Sequence, residues 1–181
     1  EDFSFIVPKK TIRELIKITG VDEEEKISIS VGKRHIIFEI GDYSIISRLL
    51  DGDFLDYNAA VPKNSSTTVV VNTREAVLCI ERAIPVVENN AKNPIRCLFD
   101  KNEMRVSTVS ARGRVVDYTK AEIKGERVEI GFNSKYMLDA LNAADTDEVR
   151  IELGGPVSPV KVLPLNDESF LFLVLPMRLK S

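Results

Sequence analysis

Val128-Glu129-Ile130-Gly131-Phe132-Asn133-Ser134-Lys135-Tyr136-Met137-Leu138-Asp139-Ala140-Leu141 is the stretch on which the fold turns. Its first five residues read as a strand, and Asn133 is a residue type that caps the orphan N–H groups of a helix start. The same grammar occurs twice upstream. Thr68-Val69-Val70-Val71 runs into Asn72-Thr73-Arg74-Glu75-Ala76-Val77-Leu78-Cys79-Ile80-Glu81-Arg82, again behind an asparagine. Phe3-Ser4-Phe5-Ile6-Val7 runs into Pro8-Lys9-Lys10-Thr11-Ile12-Arg13-Glu14-Leu15-Ile16-Lys17, where proline suits a first helical position. The first helix spaces Ile12, Leu15, Ile16 and Thr19 as one apolar stripe, and the second does so with Ala76, Val77, Ile80, Ala83 and Ile84.

Three strand candidates follow each helix. They fall at about 26–31, 35–40 and 43–50, then at 95–99, 104–110 and 113–122, then at 148–153, 157–163 and 168–175. Turn signals separate them, among them Gly41-Asp42, Asp100-Lys101-Asn102 and Gly154-Gly155-Pro156. The pattern is therefore a β-α-β-β-β unit of about 60 residues present three times, which predicts an α+β fold. A lone unit would leave its helix stripe and sheet face bare, so units should pair, with helices adjacent and antiparallel sheets outside. Pro62-Lys63-Asn64-Ser65-Ser66 reads as a linker. The expected organisation is half a domain at 1–64 followed by a complete two-unit domain at 65–181.

Composition narrows the chemistry. A chain of 181 residues, 44% hydrophobic and 29% charged, can bury a core and is not a disordered segment. No run approaches the ~20 apolar residues of a membrane span. His35, the only histidine, sits in a basic turn, which leaves triads and zinc sites without their usual donors. Cys79 and Cys97 lie inside apolar patterns and read as reduced core residues. Glu23-Glu24-Glu25 reads as a solvated charge run, and no glycine-rich phosphate loop is present.

The residues resemble the bacterial DNA polymerase III β subunit family, the sliding clamps. The resemblance is carried by Phe5-Ile6-Val7-Pro8-Lys9-Lys10, by Leu50-Asp51-Gly52-Asp53-Phe54-Leu55-Asp56-Tyr57, by Gly131 to Asp139, and by the ending Leu175-Pro176-Met177-Arg178-Leu179. It implies a DNA-clamp fold in which 1–64 is the second half of a middle domain and 65–181 a third domain. The family's first domain and the first half of its middle domain have no counterpart here. Leu55 stands where the family often has proline, and Ala59 and Ala60 where it often has arginine and a bulky aliphatic residue. The implied protein is a cytoplasmic, nucleoid-associated processivity factor, a tether and docking platform without catalytic activity, cofactor or metal. A free-standing protein-interaction module with no DNA role is the competing reading.

The resemblance also assigns surfaces. Lys10, Arg13 and Lys17 fall away from the first apolar stripe, Arg74 and Arg82 flank Leu78, and Lys135 shares its polar face with Asp139. In a ring formed by two subunits such helices would line the hole and meet duplex DNA without reading its sequence. The net charge of −3 would then put an acidic excess on the sheet side. The apolar chain end reads either as a docking surface or as a packed tail, and the resemblance favours docking. It implies a cleft for short linear peptides of the polymerase III α subunit, clamp loader and repair polymerases. The implied lining is Leu55, Ala60, Pro159, Leu173, Leu175, Pro176, Met177, Arg178 and Leu179, with Asn133 and Tyr136 at its edge. Ile84, Pro85, Val86 and Val87 are the implied edge for ring closure of the full-length homodimer.

Overall fold

A computed structural model describes residues 4–19, 26–87, 93–166 and 169–179. The chain divides into two compact bodies, Glu1–Asp56 and Tyr57–Ser181. The junction thus falls at 56/57, and residues 57–64 go with the second body. Local bonds explain this: Ala60 and Val61 donate to the Tyr57 carbonyl, and Ser66 N donates to Leu153 O at 2.9 Å. Ser65 Oγ also reaches Glu152, whose carboxylate pairs with Lys161 and Arg150.

In the first body, helix α1 (Lys9–Ile18) precedes strands β1 (Ile27–Val31), β2 (His35–Ile40) and β3 (Tyr43–Arg48). The strands form one antiparallel sheet in sequence order. Thr11 and Ser47 hydroxyls meet at 2.6 Å and tie α1 to β3. Leu15, Ile36, Phe38 and Ile40 make the small core. The rest of the expected helix stripe is not buried: Ile12 is 41% and Ile16 67% exposed. One helix on three strands has a single surface to lie on, so only the central stripe residue is covered. On β1, Ile27, Ile29 and Val31 are also exposed, although they pair with the buried Ile40, Phe38 and Ile36. The strand expected over 3–7 reduces, among the described residues, to one bridge between Ile6 and Leu50. Phe3 and Glu23-Glu24-Glu25 lie outside the described residues.

The second body holds β4 (Thr67–Asn72), α2 (Thr73–Glu81), β5 (Ile95–Asp100), β6 (Glu103–Ser110), β7 (Gly113–Gly125), β8 (Val128–Phe132), α3 (Ser134–Ala143), β9 (Glu148–Leu153), β10 (Val160–Pro164) and β11 (Phe172–Val174). Asn72 and Asn133 cap their helices by accepting from Glu75 N and Lys135 N, each at 3.0 Å. The strands form one sheet in the order β11-β10-β9-β4-β7-β6-β5-β8. Each unit therefore lends its first strand to the other: β4 lies against β9, and β8 against β5. Helices α2 and α3 touch each other. Their Ala76, Ile80, Met137, Ala140 and Leu141 share one core with Phe99, Phe132, Ile151 and Val162 from the strands.

Four strands are shorter than expected: β1 starts at Ile27 and not at 26, β3 ends at Arg48 and not at 50, and β10 and β11 are cut back as well. β10 begins at Val160 and not at 157, because Pro156 and Pro159 have no N–H to donate and Ser158 Oγ turns back to Gly154 O. β11 covers only 172–174 of the expected 168–175, residue 168 lying outside the described set. The sheet's outer face is not simply acidic. It carries ion pairs between Arg96 and Glu129, Arg105 and Glu103, Arg150 and Glu152, and Lys161 and Glu152.

Candidate functional site

The chain end is built by a strand that changes partners. In β7 the N-terminal part pairs with β6 and the last five residues pair with β4. The C-terminal segment attempts the same change. Phe172–Val174 pair with β10, and then Pro176, which has no N–H, interrupts the run. Beyond it Met177 N donates to Gly131 O at 2.8 Å, the single bridge to β8 among the described residues. The tail is seated closely there. A methyl group on Gly131 would stand 2.5 Å from Met177 O and 2.9 Å from Leu179 Cδ2.

That seating divides the residues expected to line a cleft. Leu173 and Leu175 line a groove of about 490 Å³ between α3 and the β11 segment, with Tyr136 on the opposite wall. Leu175 is 63% and Tyr136 59% exposed, so both present apolar surface to solvent. Met177 and Leu179 instead serve the sheet. Leu179 packs on Gly131 and lines a separate recess with Asn93, Pro94 and Val109. Pro159 precedes β10, Arg178 is exposed on the tail, and Ala60 is exposed after the turn Tyr57–Ala59; none of the three lines the groove. Leu55 belongs to the first body and is exposed. Asn133 is spent on capping α3.

Groove residues that the sequence reading missed are Asp139, Ala140, Leu171, Phe172 and Val174. Tyr136, Asp139 and Ala140 follow i, i+3, i+4 spacing, so the signal for one helix face was present. Phe172 stacks on Phe170 with ring centroids 4.9 Å apart, and Val174 is buried, which anchors the groove floor in the core.

The six basic helix residues differ in availability. Lys17 pairs with Glu14 at 2.9 Å, and Arg82 is bound by Asp117. The Arg82 hydrogen bond holds the Asp117 carboxyl below the usual carboxylate range. Lys10, Arg13, Arg74 and Lys135 are exposed and make no ion pair among the described residues. Arg74 nevertheless shares its surroundings with Glu75, Asp145 and Asp147. At the expected ring edge, Ile84 and Pro85 are exposed, while Val86 O is held by Ser110 Oγ at 2.7 Å and Val87 packs on the core.

Metal-ligating side chains do not converge: among the described residues no cluster of three or more His, Cys, Asp or Glu could hold a metal ion. Burial pushes the Cys79 thiol up to about 11 and raises Cys97 in the same sense, so both stay protonated and unreactive. Among the described residues no helix is long and apolar enough to cross a membrane.

With this geometry in place, the similarities are specific. Residues 58–178 match the DNA polymerase III beta subunit, C-terminal domain, and residues 1–56 match the DNA polymerase III beta subunit, central domain. The beta sliding clamp of Bacillus subtilis strain 168 is 32% identical over 179 residues, covering 97% of this chain and 47% of that protein. The beta sliding clamp of Staphylococcus aureus strain Mu50 is 34% identical over 180 residues, covering 98% and 48%. In three dimensions the B. subtilis DNA polymerase sliding clamp superposes with a TM-score of 0.89 at 30% identity, over 99% of this chain and 48% of that one. The chain spans about half the length of the curated relatives it matches.

Proposed function

We propose, for a chain that belongs to the DNA polymerase III beta subunit family, that it works as part of a sliding clamp. In this reading it is a non-catalytic tether on duplex DNA in the bacterial cytoplasm, and the full-length protein closes as a homodimeric ring. The observation that carries the DNA part is that each repeated helix keeps an exposed cation with no ion pair among the described residues: Lys10 and Arg13 on α1, Arg74 on α2, Lys135 on α3. Such charges hold phosphates through counterion release and without sequence readout, which lets a tether slide. Lys17 and Arg82 contribute less, because a carboxylate already satisfies each. Ile84 and Pro85 are the outward part of the proposed closing edge.

The groove between α3 and β11 is the proposed dock for short peptides of the polymerase III α subunit, the clamp loader and repair polymerases. Leucine walls of this kind take an apolar anchor from a linear motif. Pro176 directly follows Leu175 at the end of the groove, and Asn133 and the exposed Arg178 stay in the proposed set as outlying contacts, Arg178 for a peptide carboxylate or carbonyl.

Reversing Arg13 and Arg74 to glutamate in the full-length subunit should shorten retention on circular DNA while leaving Tm nearly unchanged. The salt dependence of binding should flatten, by about 0.9 in the log–log slope for each phosphate that is no longer neutralised. Unaltered retention at low salt would remove these residues from the DNA-facing set.

A further inference from the structure

We infer that Asp139 gives the α3–β11 groove a preference for peptides that carry a lysine or arginine beside their apolar anchor. The inference rests on the peptide-docking reading of that groove and adds a charge requirement to it.

The groove is apolar on one wall, where Leu171, Leu173 and Leu175 project from the C-terminal segment. Its helical wall is formed by Tyr136, Asp139 and Ala140. Among the described residues Asp139 is the only charged side chain in that lining, and it is itself exposed. It makes no ion pair or hydrogen bond among the described residues. Lys135, four residues earlier on the same helix, is also exposed and does not pair with it. An acidic group at the rim of an apolar slot, without a partner among the described residues, is positioned to meet whatever flanks a buried anchor. A ligand cation would gain attraction there, and a ligand carboxylate would suffer repulsion in the same place. Rim charges of this kind select among partners and set register more than they add affinity. Tyr136, one turn earlier and exposed in the same groove, is available to the methylene stem of a lysine or to a guanidinium plane.

The test uses the 181-residue chain and three labelled peptides with the same leucine and phenylalanine anchors. They differ only in whether the residues flanking the anchors are lysine, glutamine or glutamate. At about 50 mM salt the lysine peptide should bind about fivefold tighter than the glutamate peptide, the scale of one exposed ion pair, and the gap should narrow at high salt. Asp139→Asn, nearly isosteric on an exposed helix position, should flatten the series, and Asp139→Lys should invert it. The glutamine peptide should bind all three proteins alike. Equal affinities across the series for the unaltered chain, or a lysine preference that survives Asp139→Lys, would overturn the inference while leaving the groove as a dock. Failure of all three peptides to bind the unaltered chain would remove the docking reading itself, and this preference with it.

Discussion

Helix α1 and the pair α2/α3 come from the same β-α-β-β-β grammar and end in different environments. On α2 and α3 the central apolar residues are buried: Ala76, Ile80, Met137 and Leu141 all lie in one core, while Ile84, expected in the α2 stripe, falls past the helix end and is exposed. On α1 only Leu15 is buried, with Ile12 and Ile16 left open to solvent. The amphipathic period is present in all three and is strongest in α1. What differs is the surface available to receive it, since α2 and α3 lie against one another and each unit's sheet is extended by the other's first strand. An apolar stripe states that a helix can be covered, and a second unit is what covers it.

The sharpest way to break this comparison is in the paired units. Phe132→Ala on β8 removes a fully buried ring where the two units interlock. It should cost about 3–5 kcal/mol, read as a fall in Tm on the order of 10–20 °C. A loss below about 1 kcal/mol would mean that the interlock is not what stabilises the second body.

A smaller effect tests the seam between β8 and the tail. There the β4–β7 junction has a five-pair ladder, while β8 meets the chain end through one bridge. Gly131→Ala would press a methyl group into Met177 O and Leu179. The expected cost is about 1–3 kcal/mol, accompanied by faster carboxypeptidase trimming of the tail. Unchanged trimming would show that the tail is held by something other than its seat on Gly131. The smallest effect belongs to the lone helix. Ile16→Ala should change stability by no more than about 0.5 kcal/mol, as for other exposed positions. A cost approaching that of Phe132→Ala would show that the α1 stripe is covered in solution.

The site was less legible than the fold, for a reason visible in single residues. Met177 and Leu179 are apolar after a proline, and the resemblance put both in a cleft with Leu173 and Leu175. In the structure Leu173 and Leu175 face the groove, while Met177 bonds to Gly131 and Leu179 packs over it. Hydrophobicity reports a tendency to leave water and not which neighbour will receive the side chain. Arg82 illustrates the same limit for charge. On the helix wheel it falls within about 80° of Arg74, yet Asp117, 35 residues away on β7, binds it.

Sequence by itself determined the three helices, the asparagine caps of α2 and α3, the strands that follow each helix, and the scarcity of histidine. These are local matters, set by periodicity, capping chemistry and composition within a dozen residues. Pro8, read as a first helical position, instead precedes α1 as its N-cap. Tertiary structure alone decided that the units exchange first strands and that Pro176 separates a groove-lining segment from a sheet-closing tail. It also decided that Asp139 stands at the groove's rim without an ion-pair partner among the described residues. Each of these depends on which distant backbone supplies a hydrogen-bond partner or a close surface. Sequence spacing along one element carries no information about that.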